Sequence, residues 1–133
     1  HVRDSITWKR MAHEFVLRCV NEVFQQVEYQ PDGLTSNRFA ARMSSPRGFQ
    51  LFYREDVTLH RDWLSWRQRR RSMIDFIRFS LHCAIGFLEQ GQQVRFDPLW
   101  LLLYPAGVVR WLIDLYRIRF KGGQHPNKVK FRN

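Results

Sequence analysis

Two apolar stretches decide how this sequence is read: residues 73–88, MIDFIRFSLHCAIGFL, and residues 99–113, LWLLLYPAGVVRWLI. The first belongs to a pattern that starts near residue 59 and runs to Gln90. Trp63, Trp66, Met73, Ile74, Ile77, Leu81, Ile85 and Leu88 fall on or near one side of it, as a helical period requires. Gly91 is expected to stop that helix, and Asp97 with Pro98 then look like an N-cap and a first helical position. The second helix is expected to run to about Phe120, kinked near Pro105, whose ring removes one backbone hydrogen bond. The connection is short, so residues 59–120 are expected to form an antiparallel hydrophobic helical hairpin.

Such a hairpin brings both ends out on one side, where charge accumulates. Arg67, Arg69, Arg70 and Arg71 precede the first stretch, and Arg117, Arg119 and Lys121 follow the second, whereas the loop from Glu89 to Asp97 carries one arginine and two acids. This is the asymmetry of the positive-inside rule. Trp63, Trp66, Trp111 and Tyr116 would lie at the same level, as an aromatic belt does. These residues are the expected contacts with lipid headgroups, and an anionic phospholipid is the only bound ligand the pattern suggests; no cofactor or metal is indicated.

Length argues against a free-standing span, since the stretches hold sixteen and fifteen residues. At about 1.5 Å per residue they reach about 24 and 22 Å, against a hydrocarbon core of about 30 Å. They also carry charges. Folding about residue 93 sets Asp75 level with Arg110, with Arg78 within about a turn, and Asp114 lies one turn beyond Arg110. An Asp75–Arg110 bridge and an Arg110–Asp114 pair would neutralise these groups. The hairpin is therefore expected to dip partway into a bilayer beside larger subunits, to form the core of a soluble bundle, or to span a locally thinned membrane.

Outward from the hairpin, residues 5–29 read as an amphipathic helix with Ser5 as N-cap. Trp8, Ala12, Phe15, Val16, Cys19, Val23 and Val27 form its apolar stripe, and Pro31, Asp32 and Gly33 end it. Trp8, Phe15, Cys19, Val23 and Val27 are the expected protein-docking face. Residues 34–58 show no helical period. Phe49, Leu51 and Tyr53 alternate in the manner of a strand, but no partner strand is evident, so an irregular loop is expected there. Residues 121–133 form a basic tail. The expected fold is thus a single mainly α domain: amphipathic N-terminal helix, loop, antiparallel hydrophobic hairpin, basic tail.

Composition bounds the partners. The 133 residues are 44% hydrophobic and 15% aromatic, too apolar for a disordered chain despite a net charge of +10. Arginine supplies 18 of the 22 basic residues, and its planar fork suits phosphate, carboxylate and aromatic partners. Residues 1–34 hold four basic and five acidic side chains, so the remaining residues carry +11. RNA, lipid headgroups or an acidic subunit surface are the expected anions, met beyond residue 34. Trp63 and Trp66 beside Arg67 to Arg71 would also suit stacking on bases and neutralising RNA phosphates.

Catalytic and metal signatures are not found. His13-Glu14 opens a HExxH pattern, but position 17 is Leu, and His60 and His82 lack a third ligand at a recognisable spacing. Cys19 and Cys83, 64 residues apart, read as two reduced thiols. Leu115-Tyr116-Arg117 with Phe120 resembles the signature of the LYR family of small three-helix mitochondrial proteins, many of which bind an acyl carrier protein. In that family the tripeptide begins the first helix, whereas here it closes the last, so the acyl-carrier function is not carried over. His1 in place of Met fits either a removed organelle import leader or a missing start. Together these features lead to the expectation of a non-catalytic accessory subunit of a large hetero-oligomeric mitochondrial inner-membrane complex, a respiratory complex or ATP synthase, with its basic ends facing the matrix. The alternative is a structural RNA-binding protein of a mitochondrial ribosome.

Overall fold

The computed structural model describes residues 4–16, 18, 21–22 and 38–121. It is mainly helical, with no strand among the described residues. The elements are α1 (Asp4–Met11), α2 (Arg38–Met43), α3 (Pro46–Thr58), a 3₁₀ turn (Arg61–Trp63), α4 (Trp66–His82), α5 (Phe87–Gln93) and α6 (Pro98–Lys121).

The expected loop at 34–58 is replaced by α2 and α3. Pro46 takes the first turn of α3, where its missing N–H is harmless. Phe49, Phe52, Tyr53 and Val57 then fall on one helical stripe, and Phe52 is the residue that a strand-like alternation could not accommodate. That stripe packs on α4, with Phe49 and Tyr53 stacked on Phe79 at 5.2 and 5.7 Å between ring centroids. Near the other end of α3, Asp56 accepts a hydrogen bond from the Ser72 hydroxyl. Position 56 therefore lies opposite 72 and position 49 opposite 79, so α3 and α4 form the antiparallel pair of this fold.

α4 starts at Trp66, not near residue 59. Ser65 and Gln68 form a capping box, in which the Gln68 side chain accepts from the Ser65 N–H at 2.9 Å and Ser65 Oγ accepts from the Gln68 N–H. Met73, Phe76, Ile77 and Phe79 are completely buried and, with Phe52, Tyr53, Val57, Val94 and Trp100, form the core. Full burial of each such side chain stabilises by about 1.5–3 kcal/mol.

The antiparallel hairpin of α4 and α6 is not formed, because α4 ends eight residues earlier than expected. At its end the Ile85 N–H bonds to the Ser80 carbonyl and the Ala84 N–H to that of Leu81, which is a Schellman cap with Ala84 at φ 57°. α5 then carries the chain back and closes with a second cap of the same kind. There Phe96 N–H bonds to Gly91 O and Arg95 N–H to Gln92 O, with Arg95 at φ 53°. Gly91 does not stop a helix; it is buried in α5, where a Cβ would lie 2.6 Å from Phe96 Cε1 and 3.2 Å from Trp100 Cη2.

α6 consequently runs parallel to α4. Arg69 bonds to Asp97, Ile77 meets Gly107, Asp75 pairs with Arg110, and Arg78 and His82 pair with Asp114. From Arg69–Asp97 to Arg78–Asp114 and His82–Asp114 the partners rise together along both helices, whereas an antiparallel register would make these outer pairs run against each other. α6 begins as expected: the Asp97 carboxylate accepts from the Leu99 N–H at 2.9 Å, ahead of Pro98 at the first position. The helix continues through Pro105.

The N-terminal helix is shorter than expected. Ser5 lies inside α1, not at its cap, Ala12–Glu14 form a turn, and Phe15 and Val16 have no regular structure. Ile6, outside the expected stripe, is the buried residue of α1, while Trp8 and Phe15 are exposed. Cys19, Val23, Val27, the stop at residues 31–33 and the tail beyond Lys121 lie outside the described residues.

Candidate interaction surface

The parallel register redistributes the residues expected to face a membrane. Arg67, Arg70 and Arg71 are exposed at the start of α4, beside the start of α6, and Trp63 and Trp66 lie with them, each more than half exposed. Arg69 is half-buried and held by Asp97. Trp111, Tyr116, Arg117, Arg119 and Lys121 belong to the far half of α6. The two basic clusters therefore sit at opposite ends of the α4–α6 pair. No single basic side and no common aromatic level results, because these depended on an antiparallel hairpin.

Between α4 and α6 the charged residues form a seam. The Arg78 guanidinium bonds both oxygens of Asp114, with Nη2 at 2.8 Å from Oδ1, and reaches Asp75 Oδ1 at 3.3 Å. Arg110 approaches the same Asp75 oxygen at 3.1 Å, and His82 Nε2 lies 3.0 Å from Asp114 Oδ2. Asp114 thus takes Arg78 and His82 as partners, not Arg110. Burial works against the charge of Arg78, yet the hydrogen bond and charge of Asp114, with Asp75 behind them, hold its pKa above the ordinary arginine value. Midway along the seam, a Cβ on Gly107 would lie 2.6 Å from Ile77 Cβ, so glycine is what lets the backbones approach.

The opposite side of α6 is apolar and open. Leu101, Leu102, Pro105, Ala106, Val109, Leu112, Ile113, Tyr116 and Phe120 follow one another at helical spacing and are all exposed, Leu102 at 74% and Phe120 at 67%. Residues 98–120 are long and apolar enough to cross a membrane, and only 28% of the most apolar window is buried. A soluble core helix places such residues inward; here the inward face buries Leu99 and Trp100 near its start and carries the ion pairs further along.

Neither a family model, a curated protein nor a solved structure matches this chain.

A polar cluster joins α1 to α3. Lys9 pairs with Asp56, and Arg10 holds Glu55 through two bonds, Nε to Oε2 at 3.0 Å. His13 Nε2 lies 2.8 Å from His60 Nδ1, and the His13 and Trp63 rings stack at 4.0 Å. Burial, then the neighbouring His13 and Lys9, push the His60 pKa below its usual value, against the pull of Asp56 and Glu55. One ring must donate and the other accept, so the contact requires one of the two imidazoles to be neutral. The cluster was not visible in sequence because its halves are 47 residues apart. Among the described residues, no three His, Cys, Asp or Glu side chains group as a metal site would. Cys83 is a free, half-buried thiol whose pKa burial raises, which disfavours the reactive thiolate.

Proposed function

We propose that this chain is a non-catalytic accessory subunit, seated on its partners through the outer face of α6. One observation carries the proposal: the most apolar helix sets Asp114 and Arg110 against α4 while Leu101, Leu102, Val109, Leu112 and Ile113 are left exposed. A continuous open stripe of that length marks an interaction surface, because a free monomer would leave it against water. The setting we favour is the membrane-facing flank of a mitochondrial inner-membrane complex, such as a respiratory complex or ATP synthase. Exposed arginines at both ends of the stripe suit an anionic bilayer surface beside the complex. Carrying α6 across the bilayer would take α4 with it, including Arg67, Arg70 and Arg71, so a seat on neighbouring subunits fits this geometry better than a span.

The test is the native mass of the species containing this chain, with its co-purifying subunits identified. The proposal expects a large assembly that Leu102→Glu with Ile113→Glu dissociates while the helical circular dichroism signal is kept. A monomer in the native extract would overturn it.

A second reading has its own observation: Trp63 and Trp66 are exposed beside Arg67, Arg70 and Arg71. These would serve an RNA-binding structural protein of a mitochondrial ribosome. That reading expects ribosomal co-sedimentation lost steeply with salt, by about 0.7 log units per log of salt for each phosphate neutralised on a single strand.

A further inference from the structure

Three arginines from separate elements meet around one cleft. Arg54 lies in the second half of α3, Arg61 opens the 3₁₀ turn, and Arg95 sits at the α5–α6 junction. The cleft they line has a volume of about 590 Å³, with Val57, Leu59 and Pro98 as apolar wall. That is the size of a pocket for a small organic ligand.

Of the nearby carboxylates, Asp97, Glu55 and Asp56 are engaged elsewhere, and Asp62, next to Arg61 in the chain, lies outside ion-pair distance of all three arginines. Asp97, which also lines the cleft, is paired with Arg69 and caps α6. Glu55 is held by Arg10, and Asp56 by Lys9 and Ser72. Among the described residues no acidic group lies within ion-pair distance of Arg54, Arg61 or Arg95. Three unpaired like charges around one concavity repel each other and concentrate positive potential there. Arg95 also occupies the left-handed position of a Schellman cap, where glycine is the usual residue. An arginine at φ 53° costs backbone strain that glycine would avoid, and strain of that kind concentrates at ligand sites.

The chemistry of the cation set narrows the ligand. A carboxylate offers one charge and two oxygens, enough for a single guanidinium fork. A phosphoryl group offers up to two charges and three free oxygens in a tetrahedral arrangement, so guanidinium groups arriving from three directions can share it. We propose that the Arg54–Arg61–Arg95 cleft binds a phosphomonoester or diphosphate group, with the apolar wall receiving what is attached to it. A phospholipid headgroup and a soluble phosphorylated compound share that chemistry.

Calorimetric titration of the full chain with inorganic pyrophosphate tests the site. Arg54→Gln with Arg95→Asn removes two charges, and Asn tolerates the left-handed backbone at position 95. This variant should weaken pyrophosphate binding by about tenfold or more, the equivalent of losing at least one charge-assisted hydrogen bond. Arg117→Gln with Arg119→Gln, at the far end of α6, removes the same charge and should leave binding within about twofold of the wild type, since these arginines are more than a Debye length from the cleft at physiological salt. Should the first variant fail to fold by circular dichroism, Arg61→Gln on the exposed turn replaces it, with weaker binding again expected.

Vesicles of phosphatidylcholine containing phosphatidic acid separate the two sources. Recruitment of the chain that pyrophosphate reverses identifies a headgroup, and pyrophosphate binding without recruitment identifies a soluble phosphate compound; both support the site. Equal losses in the two arginine variants would overturn it, as would absence of saturable pyrophosphate binding. So would RNA oligonucleotide binding that both variants weaken alike, since the arginines would then act as diffuse surface charge.

Discussion

α4 has two partners, and the interfaces are built from opposite materials. Against α3 it presents Phe79 to the stacked rings of Phe49 and Tyr53, with Phe76 buried in the same core and one buried hydroxyl–carboxylate bond, Ser72 to Asp56. Against α6 it presents Asp75, Arg78 and His82 to Arg110 and Asp114, with a glycine contact between. Apolar contact is non-directional, so the α3 side supplies burial and tolerates small slips. Ion pairs have fixed addresses, so the α6 side supplies register. The difference explains how a helix with a leucine-rich exterior is held in one place: specificity comes from the polar seam, leaving the apolar face free.

The contrast can be broken most directly at Asp114. Asp114→Ala leaves Arg78 buried without its two-oxygen partner, and is expected to cost about 3–5 kcal/mol in urea unfolding. Phe49→Leu, on the α3 side, keeps an apolar group of similar size and should cost less than about 1.5 kcal/mol. Equal losses would mean that the seam does not differ in kind from the core. Next in size is Gly107→Ala, which drives a methyl group into Ile77 and is expected to cost about 1–3 kcal/mol, in part recovered by adding Ile77→Ala. An unchanged stability would show that α4 and α6 are not in close backbone contact at that level.

A pH titration addresses the α1–α3 cluster. His60 titrates below its unfolded value of 6.5. As pH falls below 6.5 the unfolded chain takes up the proton first, so stability is full above that value and declines as pH drops toward the folded pKa. Lys9, Arg10, His13, Glu55, Asp56 and, from α4, Ser72 surround this site, and of these His13 repels a protonated His60 directly. His60→Gln should flatten the decline between pH 6.5 and 5 in thermal melts. An identical pH profile in wild type and variant would remove the imidazole contact from the account.

Much of the helical content was legible, and the path of the chain was not. Asp97-Pro98 announced the start of α6 correctly, because cap chemistry is local. Asp75 and Arg110 do meet, but that pair is common to both registers: residues 75 and 110 are level in an antiparallel fold about residue 93 and in the observed parallel one. Only a second pair, Arg69–Asp97 or Arg78–Asp114, separates them, and both are long-range. In α3 the sequence does carry the signal, in Pro46 and in Phe52 beside Tyr53, which a period of two cannot place on one face. The arginine cleft was illegible because its members come from three elements, each charge unremarkable where it stands.

The reversal that sets α6 parallel to α4 has a physical cause that can itself be tested. The turn at residues 83–86 reverses the chain, yet its left-handed position holds Ala84, not glycine, inside an uninterrupted apolar run. A left-handed alanine costs about 1–2 kcal/mol over glycine, offset in part by the roughly 0.4–1 kcal/mol that glycine loses through a more flexible unfolded chain. Ala84→Gly should therefore raise stability by about 0.5–1 kcal/mol, visible as a small upward shift of the urea midpoint with unchanged slope. A loss of stability of the same size would place Ala84 in ordinary helical backbone. α4 would then continue toward Gln90, and the antiparallel hairpin would return as the better description of α4 and α6.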